Sequence, residues 1–152
     1  MKAIRNFEDF IKENVVKKQG PHKARASYLV NDAEISYKLL HEMIEKIKIK
    51  DGNANLFVKS CYDVLMELIR AKMLLDGYNA SGFGAHEAEI SYMRILGFNE
   101  RDVQFADQLR FFRNGMLYYG TMLDIDYEEK VIRFTNDTYL KLKAMIRVLL
   151  SK

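Results

Sequence analysis

The chain has 152 residues, 49% of them hydrophobic and 30% charged, with a net charge of +3. That length and balance suit one globular domain with a sizeable core. The single cysteine, Cys61, excludes an internal disulfide and a cysteine metal cluster. No apolar run approaches the ~18 residues of a membrane span. Acids at Glu8 and Asp9 come too early for a signal or transit peptide, and a cytoplasmic protein is expected.

In chain order, Ile4, Phe7, Ile11 and Val15 mark a short amphipathic helix within residues 1–20, stopped by Gly20-Pro21. From about 22 to 49, Ala26, Val30, Ala33, Tyr37, Leu40, Ile44 and Ile47 alternate steps of four and three, one face of a bundle helix. Phe57, Cys61, Val64, Leu65, Leu68, Ala71 and Leu75 predict the next helix over about 54–76, with Gly77 as its C-terminal cap. The glycines of YNASGFGA follow no strand and lack a closing GK[ST], so this stretch reads as a plain loop. His86 opens a short helix that Gly97 stops. Asn99 with Asp102 caps a helix running to about 123. DIDYEEKVIR reads as a linker before a last helix over about 136–150. No segment reads as a strand, and the fold expected is all-α: one domain over 1–152, an antiparallel four- to five-helix up-and-down bundle.

Charge is uneven along this chain. Residues 1–50 carry +4, residues 51–100 carry −3 and residues 101–152 carry +2. That does not announce nucleic acid by itself, but it permits a local basic face.

The helix predicted over 100–123 carries polar groups where an apolar helix has no need of them. Its main seam is Phe105, Leu109, Phe112, Met116, Tyr119 and Leu123. The far side holds Asp107, Arg110, Asn114 and Tyr118, flanked by Phe111 and Leu117, with Arg113 on the shoulder. Apolar residues around most of the circumference imply burial on both sides: the chain's own core on one, a second chain on the other. A symmetric homodimer would gather Arg110, Arg113, Asn114 and Tyr118 from both chains in one electropositive groove suited to phosphate.

The Arg113-Asn114 pair in a late helix of an α bundle resembles the motif of the HEPN domain (higher eukaryotes and prokaryotes nucleotide-binding). That motif is Arg, four to six residues, then His, very often beginning Arg-Asn. The resemblance spans about 24–150. RNGMLYYG is its specific part, and SCYDVLMELIRAKMLLDGY and GAHEAEISYM are similar to earlier helices of the family. It implies a HEPN-like homodimer with the motif helices at the interface. Many members are metal-independent RNases, often toxins paired with a minimal nucleotidyltransferase antitoxin; others bind RNA or nucleotide, or only scaffold. Here the histidine position falls on Tyr118 or Tyr119. A tyrosine, with a reference pKa of about 10, suits a proton donor or phosphate ligand better than a general base.

The resemblance therefore implies an RNA- or nucleotide-binding groove with weak or absent RNase activity. Arg110, Arg113, Asn114, Tyr118 and Tyr119 would bind. Arg113, Asn114 and Tyr118 would carry whatever catalysis remains, and Glu67 is a further candidate because the family often places an acid on that helix. The alternatives are an active metal-independent endoribonuclease with Tyr118 as proton donor, and a non-catalytic dimerisation scaffold. No metal or cofactor is expected. His22, His41 and His86 read as local or solvated groups, Asp124 and Asp126 as solvated, and Lys72 as a snorkelling side chain.

Overall fold

The computed structural model describes residues 3–48, 53–114 and 124–151. Among them 77% are helical, in six helices with one small two-stranded sheet. The elements run α1 (Phe7–Lys12), β1 (Val16–Lys18), α2 (Lys23–Ile47), α3 (Ala54–Asp76), β2 (Tyr78–Ala80), α4 (Ala85–Ile95), α5 (Glu100–Arg113) and α6 (Ile125–Leu150).

The centre is α3. Its buried residues, among them Phe57, Val58, Cys61, Tyr62, Leu65, Leu68, Ile69, Met73 and Leu74, lie almost all round the helix. A helix so apolar on every side must be covered on every side, and α2, α4, α5 and α6 all pack against it. Cys61 is wholly buried here, as expected, and burial raises its thiol to about 11.

Three expectations are corrected. First, the opening helix stops at Lys12, not near residue 20. Asn14 turns left-handed at φ 63, and the chain then forms β1, which pairs antiparallel with β2 in the register Val16↔Ala80, Lys17↔Asn79, Lys18↔Tyr78. Strands of three residues are too short for alternation to show in a sequence. Phe7 packs edge-on to Tyr78 at 5.1 Å and against Tyr92 at 4.7 Å, fixing α1 on β2 and α4.

Second, the supposed linker is helix: α6 starts at Ile125, where Asp124 accepts the Tyr127 N–H at 2.9 Å. Asp124 is thus a cap, and Asp126 and Glu128 in the first turn suit the positive end of the helix dipole. Third, Asp107, placed on the outer side of its helix, is only 2% exposed. The guanidinium of Arg110, one turn on, meets it at 2.7 Å and makes burial tolerable. The cap of α5 is as expected, with the Asn99 side chain accepting from the Asp102 N–H at 2.9 Å. Leu109 and Phe112 of the predicted seam are buried with Val103 and Ala106, and Phe105 is half-buried. Residues 115–123, including Tyr118 and Tyr119, lie outside the described residues.

Among the described residues no helix is long and apolar enough to cross a membrane. A single hydrophobic cluster draws on all six helices.

Gly77 closes α3 at φ +89, and a Cβ there would lie 2.7 Å from the Gln19 carbonyl oxygen, whose own N–H donates to the Gly77 carbonyl at 2.8 Å. Gly97 has φ +91 with open space around it. Gly97→Ala should therefore cost only the left-handed penalty of about 1–2 kcal/mol, and Gly77→Ala clearly more. Thermal denaturation checks this; equal losses of Tm would show that the junction with β1 yields freely.

Candidate functional site

One face of α3 supplies most of the site. Tyr62, Met66 and Arg70 follow at four-residue steps, with Asp63 and Glu67 in the adjacent row, so the five side chains share a side of the helix. The first turn of α4 adds His86, and the end of α5 adds Arg113 and Asn114. Together they line a cavity of about 500 Å³.

Its rigid part is an ion-pair cluster around Glu89, which is 2% exposed. The Arg70 guanidinium donates to Glu89 through Nε at 2.7 Å and Nη2 at 3.3 Å. The His86 Nδ1 lies 3.1 Å from Glu89 Oε1. A carboxylate can only accept, so Nδ1 carries the hydrogen in this contact. The cluster orients both side chains.

Two further side chains line the cavity. The Tyr62 hydroxyl is buried and finds no hydrogen-bond partner among the described residues. Burial pushes this phenol upward, and a buried donor left unmade costs about 1–3 kcal/mol. Glu67 is raised to about 7, chiefly by burial, then by a hydrogen bond to Asp32 and that residue's charge; Arg70 opposes the shift and Asp63 adds to it. Near neutral pH this carboxyl holds its proton about half the time.

At the rim, Arg113 Nε donates to Asp63 Oδ1 at 2.9 Å. Both side chains are about half exposed, at 43% and 52%, so the pair is a weak one that a ligand anion can displace. Asn114 caps α5, its N–H donating to the Arg110 carbonyl at 3.1 Å.

The structure thus brings together Arg113, Asn114 and Glu67 of the residues predicted from sequence. It places Arg110 elsewhere: bonded to Asp107 and lying 4.9 Å over the Phe111 ring, it lines a neighbouring cavity of about 390 Å³ with Arg5, Phe83 and Glu87. The first turn of α4 separates the two spaces, His86 on one and Glu87 on the other.

Sequence reasoning missed Tyr62, Arg70, His86 and Glu89. The available signal was the three-residue spacing of His86 and Glu89, which puts them on one helical face. Of the other two histidines, His22 is a local group as expected, whereas His41 ties α2 to α6 and is neither local nor solvated. His22 Nδ1 accepts the Arg25 N–H at 3.2 Å, and His41 Nε2 meets Asn136 Oδ1 at 2.9 Å, an oxygen that also accepts from the Tyr37 hydroxyl at 2.6 Å. Lys72 does more than snorkel: its ammonium meets both Asp76 oxygens, at 2.6 and 2.7 Å.

A carboxyl raised from 4.5 to about 7 stabilises the fold in its protonated state. Its contribution is complete below about pH 4.5 and is lost as pH climbs through about 7. Glu67→Gln should flatten the fall in Tm across that window relative to the unsubstituted chain. Melting curves at pH 4.5, 6 and 8 check this; parallel profiles would show Glu67 titrating as an ordinary surface acid.

No protein-family model matches this chain, and neither does any curated protein or solved structure.

Proposed function

We propose that this chain is a HEPN-like protein that binds RNA or a nucleotide through a phosphate held in the cavity between α3, α4 and α5. The observation that carries the reading is convergence. Arg113 and Asn114, singled out by sequence, share one cavity with a second guanidinium, that of Arg70, and with the unpartnered hydroxyl of Tyr62. Guanidinium forks match phosphate oxygens in pairs. Arg113 exchanges Asp63 for the phosphate, Arg70 is already aimed by Glu89, and Asn114 and Tyr62 donate to the remaining oxygens. Tyr118 and Tyr119, which follow Arg113 closely in sequence, are further candidate ligands.

Arg113→Ala should weaken binding of a fluorescent RNA oligonucleotide by roughly 10- to 100-fold, the worth of about 1.5–3 kcal/mol for a hydrogen bond to a charged group. The slope of log affinity against log salt should fall by about one contact. Fluorescence anisotropy at several salt concentrations reads both. Wild-type binding that is absent, or indifferent to salt, sinks the reading and leaves the dimerisation scaffold.

The reading includes a homodimer joined about α5. Asp107 gives it no support, since that side chain is buried within a single chain. Support comes from the two-sided apolar pattern that the sequence shows over residues 100–123 and from Phe83, which stands fully exposed and lines the second cavity with Phe111. Light scattering at micromolar concentration should give twice the chain mass; a monomer removes the shared groove.

A further inference from the structure

We propose that the second cavity, the one lined by Arg5, Phe83, Glu87, Arg110 and Phe111, seats an unpaired base of single-stranded RNA against its aromatic rings. The inference rests on the phosphate-binding reading above and names its substrate class: a strand with free bases, as opposed to a duplex or a bare phosphate.

Phe83 is presented to solvent by an anchored turn. The Ser81 N–H donates to the Val15 carbonyl at 3.0 Å, and the Ala85 N–H closes the turn on the Gly82 carbonyl at 3.2 Å. Gly82 and Gly84 flank the ring at φ 79 and 89, left-handed values open to glycine. The ring is fully exposed, and it lines the cavity together with Phe111, Ala3 and the buried Ile4. A bare aromatic face beside apolar neighbours is a stacking surface, and every base has a π-face to lay on it.

The charges here suit a polyanion. Two acid–base pairs line the cavity: Arg5 with Glu87 at 3.6 Å, and Arg110 with Asp107 at 2.7 Å. In each pair the arginine is the more exposed member, 43% against 22% and 21% against 2%. An arriving strand therefore meets guanidinium more than carboxylate. Arg110 already lies over the Phe111 ring, a cation on a π-face.

The two cavities adjoin. His86 and Glu87 are consecutive, one on each, and Arg113 and Arg110 stand one turn of α5 apart, again one on each. A strand whose phosphate lies with Arg113 and Arg70 brings a neighbouring nucleotide to Phe83. Stacking of this kind tolerates any base, so the cavity selects for a single strand and not for a sequence.

The test compares a short oligoadenylate with a ribose-phosphate strand of the same length that lacks bases, each bound to the full chain and followed by anisotropy. Phe83 is fully exposed, so Phe83→Ala should leave the fold intact, as circular dichroism will report. It should weaken oligoadenylate binding by about 5- to 150-fold and leave binding of the base-free strand unchanged. The chain contains no tryptophan, so Phe83→Trp places a single emitter at the proposed seat. Its fluorescence should be quenched by oligoadenylate and not by the base-free strand. Undiminished oligoadenylate binding in Phe83→Ala overturns the proposal, as does Phe83→Trp emission that stays unmoved at saturation; phosphate binding then stands without the base seat. A second copy of the chain would cover the same ring. If Phe83→Ala halves the mass in light scattering and loses both strands alike, Phe83 is a contact between copies and the proposal falls. A wild-type chain that binds neither strand overturns both readings.

Discussion

The carboxylate of Glu89, shut away from water, constrains everything around it. An ionised group in such a place is tolerable only with close partners. The partners come from two elements: Arg70 from α3 and His86 from its own helix. The same pairing that satisfies the acid docks the start of α4 on the C-terminal half of α3, and both partners line one cavity. Structural necessity and site geometry share an origin here, for the groups that face the cavity are held by what lies behind them.

The central helix makes this arrangement possible. α3 is covered nearly all round, and three of its charged residues line the cavity between α3, α4 and α5. These are Asp63, Glu67 and Arg70. The opposing charges nearly cancel, so the cavity is no simple well of positive potential. Asp63 already holds Arg113, and the neighbours of Glu67 raise its carboxyl to about 7.

Much of this fold could be read from the sequence, and the failures share a cause. The four-and-three spacing of Ala26 to Ile47, and of Phe57 to Leu75, marks α2 and α3 because helical periodicity is local. Asn99 and Gly77 mark helix ends for the same reason. The pairing of Val16 with Ala80 spans more than sixty positions and leaves no local trace. The start of α6 hides in charged residues that form a good first helical turn yet resemble a linker. Asp107 looks like an outer residue because only its pairing with Arg110 permits burial. In the site, Arg113 and Asn114 were legible as a motif and Glu67 by its helix. The placement of His86 depends on Glu89 beneath it and on two helices from elsewhere in the chain, and that is a tertiary fact.

The one cysteine has a practical consequence. Cys61 sits against the innermost packing of α3, fully enclosed and with its thiol held in the unreactive neutral form. Only thiolate reacts with alkylating reagents, so modification must wait until the helices part. The chain therefore carries a built-in clock: the pace at which an added thiol reagent consumes Cys61 reports how often the interior opens, without any label having to be engineered.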